Sequence, residues 1–156
     1  MRCWYVAAIL LVGCSSSQST NGDAGPLASI GADFVQQRGC PGCHQSSDHR
    51  STLAGNPVAV HGTLAYPANL TPDRSTGIGG WADEQIIRAF RYGVDASDAE
   101  LCPTMPRFDK IGDVEASAIV AYLRSLPVVT RAIPLSMCPP VKPPPGADMA
   151  MPPRDL

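Results

Sequence analysis

Aromatic side chains make up only 6% of this chain and charged ones 17%. With three Phe, two Trp and four Tyr, side chains alone can build only a small apolar core, so the fold benefits from a prosthetic group or a disulfide. A basic surplus is missing as well. Twelve Lys and Arg stand against 14 Asp and Glu, for a net charge of −2, which removes the electrostatic footprint of a DNA- or RNA-binding protein. No apolar run reaches the roughly 18 residues that a spanning helix needs. Internal repeats are absent, and no alternating strand pattern survives the glycines and prolines. What the chain has in quantity is Pro (16), Gly (14) and Cys (6) over 156 residues, which suits one modest domain with long irregular segments.

The N-terminus carries one positive charge, Arg2, then an apolar stretch from Trp4 to Val12 that stops at Gly13. This pattern is that of a signal peptide, residues 1–13. Leu11-Val12-Gly13-Cys14 resembles the bacterial lipobox, which implies cleavage before Cys14 and lipidation of its thiol; several acyl chains would then hold the protein to a membrane. An ordinary secretory peptide cut elsewhere is the alternative. The polar run from Ser15 to Asp23 reads as a tether, placing residues 14–28 between lipid and domain. Ser15 after the cysteine resembles lipoproteins sent to the outer membrane. The expected location is therefore the periplasmic side of a bacterial membrane, with the outer membrane favoured. Loss of Arg2 leaves 11 basic residues against 14 acidic ones, a net charge of −3, so a partner with a basic or weakly charged face is favoured.

Three helices follow from apolar spacing. The first runs from Pro26 to Gly39 with Ile30, Phe34 and Val35 in phase, and Gly39 as its stop. The second, after Trp81, places Ile86, Ile87 and Phe90 on one face, has Asp83 and Glu84 in its first turn and ends at Gly93. In the third, Asp113 is the expected cap, Val114, Ala118, Ile119, Tyr122, Leu123 and Leu126 form the apolar side, and Pro127 ends it. Between the first two, residues 45–80 have no sustained period and read as a long loop wrapped around a flat cofactor. Pro103 and Pro106 stiffen a second loop around Met105. From Ile133 onward eight prolines suggest an extended or disordered tail, assigned to residues 131–156.

Cys40-Pro41-Gly42-Cys43-His44 has the spacing for covalent haem attachment. Two residues between the thiols let them reach two vinyl groups of one porphyrin, and the next residue brings an imidazole to the iron. Two other readings exist. A thioredoxin-like redox pair would normally follow a strand, and half a zinc site would need a second close pair of ligands, whereas Cys102 and Cys138 stand alone.

The order of a short helix, the pentad, Asn69-Leu70-Thr71-Pro72-Asp73, Gly77-Ile78-Gly79-Gly80-Trp81, a helix, Met105-Pro106 and a last helix with Ala121-Tyr122-Leu123-Arg124-Ser125-Leu126-Pro127 resembles monohaem class I cytochromes c, notably the cytochrome c domains that accompany bacterial dehydrogenases. The likeness covers about residues 29–129, within a domain assigned to residues 29–130. It implies an all-α class I cytochrome c fold, with three main helices and long loops around one covalent haem c. It implies Met105 as sixth ligand opposite His44, a soft neutral thioether that favours ferrous iron; Met105 filling the core, or His61 as ligand, are the alternatives, and His49 follows His44 too closely to reach the other face. It further implies Trp81 at the haem edge toward a propionate, with plain core packing as the equal alternative, a carbonyl near Pro57 accepting the second ring N–H of His44, and Gly31 with Phe34 or Val35 crossing Ile119, Tyr122 and Leu123. Arg88 and Arg91 could neutralise a propionate, but charges on a helix flank are more often solvated, and they are left out of the site.

Cys102 and Cys138 are candidates for a disulfide in an oxidising compartment, holding the Met105 loop, with free thiols as the alternative. The function expected is a non-enzymatic electron carrier linking a dehydrogenase to a terminal acceptor through redox partner proteins, without nucleic acid. A haem protein with an open sixth site, binding a gas or peroxide, is the second possibility, and a disulfide-stapled structural lipoprotein the third.

Overall fold

The computed structural model describes residues 25–45, 47–48 and 52–138. The signal peptide, Cys14, the tether up to residue 24, His49 and the tail from Pro139 lie outside the described residues. Four helices follow one another: α1 Pro26–Gln37, α2 Cys40–His44, α3 Asp83–Tyr92 and α4 Asp113–Ser125. Among the described residues there is no strand, only an isolated antiparallel bridge between Val94 and Glu100. No helix there is long and apolar enough to cross a membrane.

Each helix begins and ends for local reasons. Pro26 opens α1, where its missing N–H costs nothing and its φ is already helical, and the chain leaves through Gly39 at φ 73°. That left-handed residue restarts the backbone as α2, so the cysteine pentad forms a helical turn of its own rather than the tail of the first helix. In α3 the Gln85 side chain accepts the Ala82 N–H at 2.8 Å, and Asp83 and Glu84 sit at the positive end of the helix dipole. Gly93 at φ 71° closes it by donating to Ala89 O. For α4 the capping position falls on Gly112, with no side-chain cap. Asp113 is not the cap; it is the first helical residue and pairs with Arg91 at 2.8 Å.

The core is built where α1 and α4 cross and α3 packs beside them. Val35, Ile86, Phe90, Ala116, Ile119, Val120 and Leu123 are buried there with Leu53 and Ile78 from the long loop. Two expected inward residues lie outside: Ile30 is 49% and Val114 76% exposed. The reason is the seam. Ala28, Gly31 and Val35 form the inner face of α1, and a Cβ on Gly31 would collide with the carbonyl of Ala118 and come within 2.9 Å of Tyr122 Cβ. The two backbones approach that closely because position 31 has no side chain, and this rotates Ile30 toward solvent. An ion pair from Arg38 to Glu115 at 2.7 Å ties the end of α1 to the start of α4.

Gly31→Ala should therefore force the crossing apart, costing about 1–3 kcal/mol as overpacking does. Urea unfolding followed by circular dichroism measures it; an unchanged midpoint would show that the seam is loose.

Candidate functional site

The pentad sits where a short helix meets the long loop. Cys40 and Cys43, three apart on α2, lie on one side of that turn, and they are not bonded to each other. Cys40 is half-buried against the core and Cys43 exposed. Burial pushes the Cys40 thiol above its ordinary value, so it is a protonated thiol at neutral pH. The attacking cysteine of a redox pair needs the opposite shift, which counts against the thioredoxin-like alternative. Among the described residues no group of three His, Cys, Asp or Glu is placed to hold a metal, the arrangement that the zinc alternative requires.

His44 is 8% exposed. Its Nδ1 lies 2.8 Å from the carbonyl oxygen of Ala68. A carbonyl only accepts, so Nδ1 carries the proton and Nε2 keeps its lone pair. Burial lowers the imidazole's pKa, and the bond to Ala68 opposes that in part. The ring is thus neutral at neutral pH, held in one orientation, with an Nε2 that has no hydrogen-bond partner among the described residues, as a metal-ligating histidine must be. The expected carbonyl near Pro57 is replaced by that of Ala68. Asn56 N–H donates to Pro67 O and Gly55 N–H to His44 O, each at 3.0 Å, and this fold of the loop carries residue 68 to the ring.

Met105 lies in the loop between α3 and α4, half-buried, and packs on the same core cluster as Cys40 and Trp81. Its N–H donates to Cys102 O at 3.1 Å, Leu101 N–H donates to Gly93 O and Phe108 N–H to Phe90 O. Cys102 is bonded to Cys138, with 5.4 Å between the Cα atoms, so those two residues are paired rather than free. Arg107 completes the loop by donating to Leu101 O at 2.9 Å, its guanidinium lying flat where a side chain on Gly93 would be. His61 is exposed on a surface turn, a poor place for a second ligand. Arg88 and Arg91 are engaged rather than solvated: Arg88 bonds Asp95 O and pairs with Asp98, and Arg91 bonds Ile111 O and Asp113.

Trp81 is half-buried at the end of a loop clamped from α4. Arg124 donates to the carbonyls of Ile78 and Trp81 and to Asp83. The Asn69 to Asp73 motif is the other fastening. Asn69 is buried and bonds Thr71, Thr76 and Val129 O. Asp73 accepts from Ser75, Thr76 and Thr130. In the sequence these residues, and Arg124 in the last helix, stand in motifs without an assigned role, and Ala68 carries no signal at all. The Asp-x-Ser-Thr pattern of 73–76, an Asx turn, is the local signal that was available.

No protein-family model matches the chain. Among known proteins it is similar to the fructose dehydrogenase cytochrome subunit of Gluconobacter japonicus, 32% identical over 102 residues, covering 63% of this chain and 21% of that protein. The gluconate 2-dehydrogenase cytochrome c subunit of Pantoea cypripedii is 32% identical over 98 residues, 62% of this chain and 22% of its own. A diheme cytochrome c-type protein of Cereibacter sphaeroides is 29% identical over 113 residues, 67% of this chain and 38% of its own. These homologues are all cytochrome c proteins, and the chain is similar to them over roughly two thirds of its length. The first two are cytochrome subunits of bacterial dehydrogenases, and the chain spans only about a fifth of their length.

The Asp73 hydroxyl cage has a measurable consequence. Hydrogen bonds from Ser75, then Thr130 and Thr76, hold this carboxyl far below the usual carboxylate range. A depressed folded-state pKa stabilises the fold fully above the unfolded value of about 4, and that contribution fades as the pH falls below it. Asp73→Asn should lower the urea midpoint at pH 7 and narrow the gap to the wild type at pH 3. A gap of equal size at both would show that the charge is irrelevant.

Proposed function

We propose that the chain is a periplasm-facing electron carrier, anchored by lipid at Cys14 and holding one haem c through Cys40 and Cys43, with His44 and Met105 as axial ligands. The observation that carries this reading is the buried His44 ring, its Nδ1–H given to Ala68 O and its Nε2 left free, directly after two cysteines not bonded to each other. That donor set fits a covalently attached haem. When bound, the group supplies a one-electron iron couple.

This chain's own residues do the rest. Cys40 and Cys43 provide two thiols for thioether bonds from one helical turn. His44 offers a neutral nitrogen whose basicity the Ala68 carbonyl raises. Met105 carries a thioether on a loop bonded at both ends; it would be the second residue to hold the iron and would leave no position open for substrate. Trp81, whose carbonyl accepts from Arg124, would stand at the haem edge. The surrounding class I arrangement, with α1, α3 and α4 as its main helices, belongs to the same reading. The names of the relatives support the partner: dehydrogenases of sugars and related substrates are served by cytochrome c subunits. The donor here is accordingly a dehydrogenase, the acceptor a further redox protein, and the chain is the electron-transfer component rather than the catalyst.

A pyridine haemochrome spectrum with intact mass should give one covalently held haem per chain, surviving acid–acetone extraction, and Cys40→Ala with Cys43→Ala should abolish it. Carbon monoxide tests the ligand set. Met105→Leu should let the ferrous protein bind it at least about tenfold faster than the wild type. Rapid, complete binding by the wild type would instead establish an open sixth site and a sensor or catalyst.

A further inference from the structure

The chain that leaves α4 crosses the molecule instead of ending. Arg131 donates through its backbone N–H to Thr76 Oγ1 and through its guanidinium to Asp48, both at 2.9 Å. Ile133 lies over Gly55: a Cβ there would come within 2.8 Å of Ile133 Cγ1. Ser136 Oγ accepts the Tyr66 N–H at 2.8 Å, and Met137 N–H donates to Leu64 O at 3.0 Å. One residue later, Cys138 is bonded to Cys102, whose carbonyl accepts the Met105 N–H.

We propose that residues 131–138 form a covalent strap that sets the position of Met105 and at the same time pins the loop holding His44. The proposal rests on the ligand assignment given above. Contacts to both loops meet in this segment. Tyr66 lies two residues before Ala68, the acceptor for His44, and Gly55 beneath Ile133 is the residue whose N–H bonds the His44 carbonyl. The path Ala68, Tyr66, Ser136, Cys138, Cys102, Met105 therefore joins the supports of both axial residues. Its hydrogen bonds at Ser136 and Met137 are exposed and exchange readily with water. The bridge makes the strap persist, because it removes the freedom of a segment 36 residues distant in sequence from its partner. Cys102, Ser136 and Cys138 are positioning residues in this scheme.

The test is the double variant C102S/C138S of the full chain carrying its haem, compared with the wild type. Expected is a Met–iron charge-transfer band reduced at least about twofold at neutral pH, with carbon monoxide binding faster by a similar factor or more. Amide exchange at Tyr66 should also quicken at least about tenfold, since its acceptor is freed. If the double variant does not accumulate folded, a water-soluble phosphine that reduces the bridge in the wild-type holoprotein, and leaves thioethers intact, gives the same readings. An unchanged band and unchanged carbon monoxide kinetics in the folded, bridgeless protein would overturn the role toward Met105. A changed band with Tyr66 exchange unaltered would overturn the coupling of the two loops. Absence of covalent haem in the wild type would instead overturn the functional reading and the ligand part with it, while Tyr66 exchange would still decide whether the strap holds the loop.

Discussion

An imidazole removed from water needs a partner for its N–H, and His44 has one in the carbonyl of Ala68. That single bond explains why the loop from residue 52 to 70 must close on itself. Leu70 N–H bonds Leu53 O, Asn56 N–H bonds Pro67 O and Gly55 N–H bonds the His44 carbonyl, so the acceptor is delivered by backbone rather than by a side chain. A buried, neutral and immobile ring with one free nitrogen is expensive for a core with few aromatics to maintain. It makes physical sense where that nitrogen has an iron to bind.

Around this centre the fold economises on apolar surface. Leu53, Val35, Asn69 and Thr71 are the largest fully buried side chains, and two of those four are polar. The Asn69, Thr71 and Asp73 network satisfies buried polar groups in one place and joins the loop after the pentad to the chain leaving α4. Arg124 does the same for the turn carrying Trp81. Loops that would otherwise sample many conformations are fastened by hydrogen bonds at short spacing, by one disulfide and by the Gly31 crossing, where small size substitutes for hydrophobic bulk.

The helices could be read from the sequence because period, glycine stops and N-terminal acids agree for α3 and nearly so for α1 and α4. Their faces were harder. Ile30 and Val114 look like core residues by hydrophobicity yet face solvent, whereas Gly31, expected at the crossing from the family resemblance, and Ala118, expected on the inward side of the last helix, do meet at the seam. The pentad was legible because its function lies in its spacing. Ala68 was not, because a backbone acceptor has no residue type to recognise it by. The prolines from residue 133 onward resemble a free tail, whereas residues 131–138 are fastened through Arg131, Ser136 and Cys138, contacts between partners far apart in sequence.

The central claim is a single covalent haem held between His44 and Met105. Proton NMR of the ferrous holoprotein, with its methionine methyl groups labelled, tests it most directly. A methyl lying on the iron axis is shifted far upfield by the porphyrin ring current. One such signal, absent from Met105→Leu, is the expected result. A spectrum with every methionine methyl in its ordinary range, or a shifted signal that persists in Met105→Leu, would contradict the claim.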